Sequence, residues 1–231
     1  MSKLATGDIW QATIAVIRAH FGVLVAIAAP FTLLVDMVMT LFGPVVPTTI
    51  AAFTPQVVLV LVILPGMVGA IAQLAVARLV ALPDDMPRAA LAAAFVAFPA
   101  YAGAILLSAL PTGFGFVLFI IPGLYLMARL FLVLPVVVVE RLPIVATLQR
   151  SWTLTDGNAW PIMLFLALML LFLLGASALG SGVGMALASV LTLLGMKAVG
   201  GFVAALIGAT VAMLASIGSA AAATVIYLKL R

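Results

Sequence analysis

Hydrophobic residues in this chain form long continuous runs, each with the length of a whole helix, and polar residues are concentrated between the runs. Six stretches are almost continuously apolar, and the segments between them hold most of the charged residues. A bilayer core requires about 20 mostly apolar residues in each crossing helix, and every stretch reaches that length. The pattern therefore predicts an all-α fold, a polytopic membrane helix bundle in one integral membrane domain over residues 1–231. The six predicted transmembrane helices are residues 21–43, 56–82, 91–110, 116–139, 160–179 and 199–228.

Two shorter segments are amphipathic rather than uniformly apolar. In residues 8–20 the apolar side chains recur at helical spacing, and the N-terminus lacks the basic start and compact apolar run of a secretory signal. The second segment begins at Pro143 and ends before the turn signal Asp156-Gly157-Asn158. We expect both to form interfacial helices at the cytoplasmic membrane surface.

Composition excludes most soluble classes of protein. Hydrophobic residues make up 67% of the chain and charged residues 7%, against about 25% charged in an ordinary soluble domain. Mean hydropathy is +1.45. Without cysteine and with His20 as the one histidine, the sequence predicts no metal site and no cofactor. The ten basic residues are too scattered to favour nucleic acid, so the predicted surroundings are the lipid bilayer and a membrane or cytoplasmic protein partner.

The distribution of basic residues predicts the orientation in the membrane. Connections 44–55 and 111–115 are uncharged, and the stretch 180–197 holds only one charged residue, Lys197. That stretch also includes a short apolar segment, Met185–Met196, which has the length of a surface or re-entrant helix. The positive-inside rule then places both termini in the cytoplasm. The basic residues of the predicted cytoplasmic side are Lys3, Arg18, Arg78, Arg88, Arg141, Arg150, Lys229 and Arg231.

Two Pro-Gly pairs interrupt predicted spans at similar depth. Pro65-Gly66 lies in the second span and Pro122-Gly123 in the fourth. Proline removes a helical hydrogen bond and bends the helix, and matching interruptions in repeated spans point to a transporter binding site. The alternative is kinked packing without a ligand. The similar sequence around each pair also suggests a repeat of three hairpins.

Arg129 is the strongest single candidate for a ligand site or a structural ion pair. It lies near the middle of the fourth span, where an arginine costs about 2.5–3.5 kcal/mol of insertion free energy. Side chains lean toward the N-terminus of their helix, so Arg129 and Asp36 of the oppositely directed first span would converge. We predict an Arg129–Asp36 pair with Gln73 beside it. Whether it binds an anion or only stabilises the fold stays open.

Three further residues mark the cytoplasmic interface. Glu140 ends the fourth span and is expected to pair with Arg150 or Arg88, unless it is only a solvated end charge. Trp152 lies in the interfacial segment, where aromatic residues of a membrane belt are typically found. Small residues recur every four positions in the sixth span, which favours packing within the monomer over a dimer face and leaves the oligomeric state open.

A stretch of the chain from the fourth span onward is similar to a known bacterial family. It reads Pro122-Gly123-Leu124, Arg129-Leu130, Leu134 to Glu140, and then Arg150 to Gly157. These motifs resemble the membrane domain that precedes some glycerophosphoryl diester phosphodiesterases, together with the related YciC-like group of small inner-membrane proteins. The resemblance implies a six-helix domain in the bacterial inner membrane and assigns no chemistry. Phosphodiesterase activity belongs to a separate soluble domain of that family, so it is not transferred.

These observations favour a non-enzymatic multi-pass inner-membrane protein that binds or organises lipids or partner proteins. The alternative is a small transporter or carrier with a site near Pro65-Gly66, Pro122-Gly123 and Arg129. An intramembrane enzyme is disfavoured because serines in the spans have no histidine at comparable depth. A polar cavity that reaches Arg129 would favour transport, and a bundle with a lipid-facing groove would favour lipid binding.

Overall fold

A computed structural model describes residues 5–44, 46, 47, 49 and 54–231. Lys3 and half of the predicted 44–55 connection lie outside these residues. The elements of the described part are helical and follow one another as α1 Thr6–Phe31, α2 Leu33–Phe42, α3 Pro55–Val58, a π-helical segment Leu59–Ile63, α4 Leu64–Ala81, α5 Pro87–Leu118, α6 Ile120–Leu130, α7 Val133–Glu140, α8 Ile144–Leu154, α9 Ala159–Leu193 and α10 Lys197–Leu230.

Within the described residues, six helical runs are long and apolar enough to cross a membrane, which confirms the predicted all-α class with six candidate spans. In the first and fourth runs two helices follow each other across a break, and in the second α3, the π-helical segment and α4 are continuous. The predicted repeat of three hairpins is not confirmed. Pro65 lies well inside its run, beyond the π-helical segment, whereas Pro122 is in the first turn of α6.

The first run bends at two places. His20 has non-helical backbone angles (φ −120°, ψ 18°), and it is the residue at which the sequence predicted the change from interfacial helix to span. The second bend, at Thr32, follows Pro30 and separates α1 from α2. The N-terminal part of α1 is not isolated from the bundle, because Ile9 and Thr13 are buried in it. A position at the membrane surface stays a prediction for residues 8–20.

The two outer connections predicted near residues 111–115 and 180–197 are mostly helical, which corrects the sequence analysis. Helix α5 continues through Pro111 to Leu118, and the chain reverses at the extended residue Phe119. Helix α9 runs on to Leu193, so Met185–Met196 is not a separate surface helix. Backbone groups in an apolar medium must be hydrogen-bonded, and this favours continued helix across glycine and proline positions that would end a helix in water.

The fourth span is broken in its second half. Helix α6 ends at Leu130 and α7 begins at Val133, with Phe131 and Leu132 between them. Pro135 explains the break: it has no N–H for the carbonyl of Phe131 and its ring crowds that carbonyl. Pro122, by contrast, causes no mid-span interruption, because prolines are tolerated in a first turn.

The tightly packed core lies toward one end of the bundle. Side chains from α1, α4, α5, α7 and α10 form one buried cluster there, and Ile162, Phe165 and Tyr227 belong to a second. At the opposite end, large apolar side chains of α5, α6 and α9 are exposed, as lipid-facing surfaces of a membrane helix are. We call the core-containing end the charged end. It holds the starts of α1, α5 and α9, the ends of α4, α7 and α10, and the whole of α8.

Candidate functional site

Arg129 is buried beside the break in the fourth span. The residue is only 5% exposed, and its guanidinium carbon lies 4.4 Å from the centre of the Trp152 ring and 5.9 Å from that of Tyr125. One carboxylate oxygen of Asp156 accepts hydrogen bonds from Nη1 and Nη2 at 3.2 and 3.3 Å. Nε is buried and has no hydrogen-bond partner within the described residues. Two aromatic faces and one exposed carboxylate therefore surround the charge.

The predicted Arg129–Asp36 pair is wrong. Arg129 pairs with Asp156, and neither Asp36 nor Gln73 belongs to its surroundings. The prediction assumed an unbroken fourth helix with Arg129 leaning toward the outer side. Instead α6 ends one residue later, and the segment after α8 packs against this last turn and brings Asp156 within reach.

The carbonyl group of Arg129 is stabilised by side chains of α8 and the residue after it. Ser151 Oγ donates to this oxygen at 2.8 Å. Thr155 Oγ1 lies 3.4 Å from the same oxygen and closer, at 2.9 Å, to the carbonyl oxygen of Ser151. Both residues are fully buried. A carbonyl released by a helix break is costly in an apolar environment unless another donor satisfies it. The Ser151 hydroxyl, more than that of Thr155, therefore holds α8 against the broken span.

Glu140 occupies a network at the charged end. Arg150 Nε donates to its carboxylate at 3.1 Å, so of the two partners considered for Glu140, Arg150 and Arg88, the structure has Arg150. Tyr227 Oη donates to the same carboxylate at 2.9 Å and so joins the end of α10 to α7. Lys229 Nζ donates to the carbonyl of Asp8 at 3.1 Å and joins the two ends of the described chain. These contacts join the helices at the charged end, and the Glu140–Arg150 pair is partly exposed.

A mostly apolar cavity with two polar side chains lies between α4 and α5, where the second span changes from π- to α-helix. Gly66 lines it, together with the side chains of Gln73 and Tyr101, and its volume is about 390 Å³. A second cavity of about 320 Å³ shares Gln73 and Tyr101 and extends to Ser108 and Thr112. Gln73 and Tyr101 make no hydrogen bond within the described part of the chain. Neither Arg129 nor Pro122-Gly123 lines either cavity.

Asp36 faces a third cavity, which Arg129 does not line. Thr40, Gly208 and Ala212 contribute to its walls, and its volume is about 650 Å³. The carboxylate makes no ion pair within the described residues. The structure thus separates the three residues that the sequence grouped at one site: Arg129, Asp36 and Gln73 lie at three different places.

An apolar groove runs between α1, α9 and α10. Its volume is about 380 Å³, and it extends along α9 from Phe165 to Ala176, roughly 16 Å at 1.5 Å per residue. Trp10 stands at its charged-end mouth, edge-on to Phe172 with ring centres 5.5 Å apart. Sequence analysis missed this groove. The sequence pattern that could have indicated the groove is the helical spacing of the apolar and aromatic residues Trp10, Ile14 and Ile17. These residues belong to the segment 8–20 that was predicted to lie at the membrane surface.

The two hydroxyl groups in the wall of this groove are already hydrogen-bonded within their own helices. Thr13 Oγ1 donates to the carbonyl of Ile9 at 2.7 Å, and Ser219 Oγ donates to that of Ser216 at 2.9 Å. The remaining walls are aliphatic and aromatic side chains with small residues of α10. The groove therefore suits a hydrocarbon chain better than a polar ligand.

The fold and these sites define a polytopic α-helical membrane protein. The family model of the membrane domain of glycerophosphoryl diester phosphodiesterase matches residues 93–231, from α5 to the last residue. The chain belongs to this family. No curated protein and no solved structure matches the chain significantly.

Proposed function

We propose that this protein is a non-catalytic domain of the bacterial inner membrane that binds a lipid along the groove between α1, α9 and α10. The observation that carries the proposal is the groove itself, an elongated apolar space whose two wall hydroxyls, those of Thr13 and Ser219, are already hydrogen-bonded. A hydrocarbon chain gains free energy by filling such a space, because it makes close contacts that a void lacks.

The charged-end mouth of the groove supports a lipid headgroup at that end. A further cavity adjoins Trp10, and Thr6 and Gln11 contribute polar groups to its wall. Tryptophan is typical of the membrane–water interface, where its ring contacts lipid and its N–H meets polar groups. A bound lipid would therefore lie with its acyl chain along α9 and α10 and its headgroup near α1.

The family and the side-chain chemistry support a non-catalytic role. The matching family is described as the membrane domain of a phosphodiesterase, which is one part of that enzyme. Ser108 and Ser151 donate hydrogen bonds to backbone carbonyls and not to a side chain that could act as a general base. The described residues contain no group of three or more metal-ligating side chains. The carrier alternative gains less support, because Arg129 and the two Pro-Gly pairs do not share a cavity.

The orientation is proposed with the termini in the cytoplasm. Basic residues of α4, α8, α10 and the first turn of α5 gather at the charged end, and Lys197 lies at the opposite end. Inner membranes of bacteria keep such basic segments on the cytoplasmic side. A lipid headgroup at the mouth of the groove would then belong to the inner leaflet.

Gly218 offers a direct test, because a β-carbon there meets no atom within 4 Å and the residue lines the groove. Gly218→Leu should fill the space without displacing backbone. We expect the purified variant to retain less phospholipid per protein than the wild type, as measured by extraction and phosphorus assay, with unchanged thermal stability.

Gly175→Leu is the matched control, since a β-carbon at Gly175 is equally unobstructed and this exposed residue of α9 lies outside the groove. It should retain as much phospholipid as the wild type. Equal retention by both variants, or equal loss from both, would exclude the groove as the binding site.

A further inference from the structure

The cavity between α4 and α5 differs chemically from the apolar groove. Gln73 contributes an amide and Tyr101 a hydroxyl, and neither is hydrogen-bonded within the described residues. In the hydrocarbon region each unsatisfied polar group costs free energy, so such groups are found where they face a ligand, water or another polar group. The cavity therefore offers both a donor and an acceptor to an occupant.

The cavity opens sideways toward lipid. Val62, Ile63 and Met67 of the second span and Leu106 of α5 form its rim, and all four side chains are substantially exposed on the lipid-facing surface. An occupant can therefore enter from the bilayer. The π-helical segment Leu59–Ile63 lies at the same rim. π-Helical turns are frequently found at functional sites, because the widened turn moves side chains and frees backbone groups.

No charged side chain lines this cavity or the adjoining one that contains Ser108 and Thr112. An ionised headgroup would enter without a counter-charge, which is costly in this medium. Amide and hydroxyl groups are instead suited to uncharged hydroxyl groups, which donate and accept hydrogen bonds.

We propose that the cavity between α4 and α5 is a second site, which binds an uncharged, hydroxyl-bearing lipid through Gln73 and Tyr101. Its acyl chain extends over the exposed side chains at the rim, and its hydroxyl groups replace the missing hydrogen bonds of these two residues. The site is separate from the groove between α1, α9 and α10 and does not require lipid to bind there.

The test is a native mass spectrometry titration with monoolein, a neutral lipid with two hydroxyl groups. The protein carries Gly218→Leu, so that the apolar groove is filled, and an amine-oxide detergent avoids competing sugar hydroxyls. Methyl oleate, which has the same chain and no hydroxyl group, is the ligand control. We expect saturable binding of monoolein and weaker binding of methyl oleate.

Tyr101→Phe and Gln73→Met remove the hydrogen-bonding groups and nearly conserve side-chain volume. Each should weaken monoolein binding about 2- to 10-fold, the usual effect of one lost hydrogen bond. Ser189→Ala, which removes a hydroxyl bonded to its own helix at Met185, should have no effect. Equal binding of monoolein and methyl oleate would overturn the proposal, even if a cavity variant failed to fold. Unchanged affinity in both cavity variants would also overturn it.

Discussion

Arg129 shows how a single buried charge is stabilised in this protein. Its guanidinium lies against the Trp152 ring, while its partner Asp156 has a side chain that is 77% exposed. An exposed ion pair contributes little because water and salt screen it. A desolvated cation over an indole ring contributes up to about 2 kcal/mol. We therefore attribute more of the stabilisation to the aromatic contact than to the carboxylate.

This assignment predicts unequal effects of two substitutions. Trp152→Ala should lower the thermal unfolding temperature in detergent more than Asp156→Asn, which should cost less than about 1 kcal/mol of unfolding free energy. Thermal unfolding of both variants beside the wild type measures the difference. A larger loss from Asp156→Asn would mean that the ion pair is the main stabilising contact.

Ser151 provides a second test at the residue scale. Its buried hydroxyl donates to the carbonyl of Arg129 at 2.8 Å, where the helix break leaves that oxygen without a backbone donor. Ser151→Ala should destabilise the protein by about 1–3 kcal/mol, the usual cost of an unsatisfied buried group. Thr153→Ala is the control, because this exposed hydroxyl bonds only within α8. Similar losses from both variants would contradict the role given to Ser151.

The sequence could identify Arg129 as exceptional but could not find its partner. The sequence alone shows a charged residue within an apolar stretch. Whether that residue pairs with Asp36 or Asp156 depends on where the helix breaks, which the sequence did not indicate. Arg150 could be named as one of two partners for Glu140, because the two residues are only ten positions apart across one short connection. The Gln73–Tyr101 cavity was not, because two uncharged polar residues in separate spans are not related by any local pattern.

Among the helical elements, the α5–α6 hairpin depends on unusually close approach. A β-carbon at Gly115 would lie 3.1 Å from the backbone nitrogen and Cα of Gly123. Small residues allow such contacts between membrane helices, where van der Waals packing drives association. The hairpin therefore depends on these two glycines, which belong to the segment predicted as a loop and to one of the two Pro-Gly pairs.

Gly115→Val should separate α5 from α6 and lower the unfolding free energy by about 1–3 kcal/mol, the usual cost of overpacking. Gly113→Val on the same helix is the matched control, because a β-carbon there meets no atom within 4 Å. Thermal unfolding in detergent compares the two variants. If Gly115→Val is as stable as Gly113→Val, the close crossing does not hold the hairpin together.

Element boundaries were less predictable than the number of spans. Length and hydropathy predict six crossings, and the described residues form six helical runs that are long and apolar enough to cross a membrane. The ends of α5 and α9 were misplaced because glycine and proline were interpreted as they act in water. Helix α9 has 35 residues, about 52 Å at 1.5 Å per residue, well beyond a bilayer core of about 30 Å. Local composition did not indicate that extension.

At the scale of the whole molecule, the orientation can be tested with single cysteines, since the chain has none. Asp84 is exposed in the α4–α5 connection at the charged end, and Leu194 is 69% exposed at the opposite end. A membrane-impermeant maleimide should label Leu194→Cys in intact bacterial spheroplasts and Asp84→Cys only after lysis. The reverse pattern would place the termini outside the cytoplasm.

The central claim is that an acyl chain occupies the groove between α1, α9 and α10. Photo-crosslinking tests it most directly, using vesicles that contain a phospholipid with a diazirine in its acyl chain. Mapping the adducts by peptide mass spectrometry should place them mainly on groove residues such as Met169 and Leu214, with loss in Gly218→Leu and retention in Gly175→Leu. Adducts spread evenly over the exposed faces of α5, α6 and α9, and unchanged by Gly218→Leu, would contradict the claim.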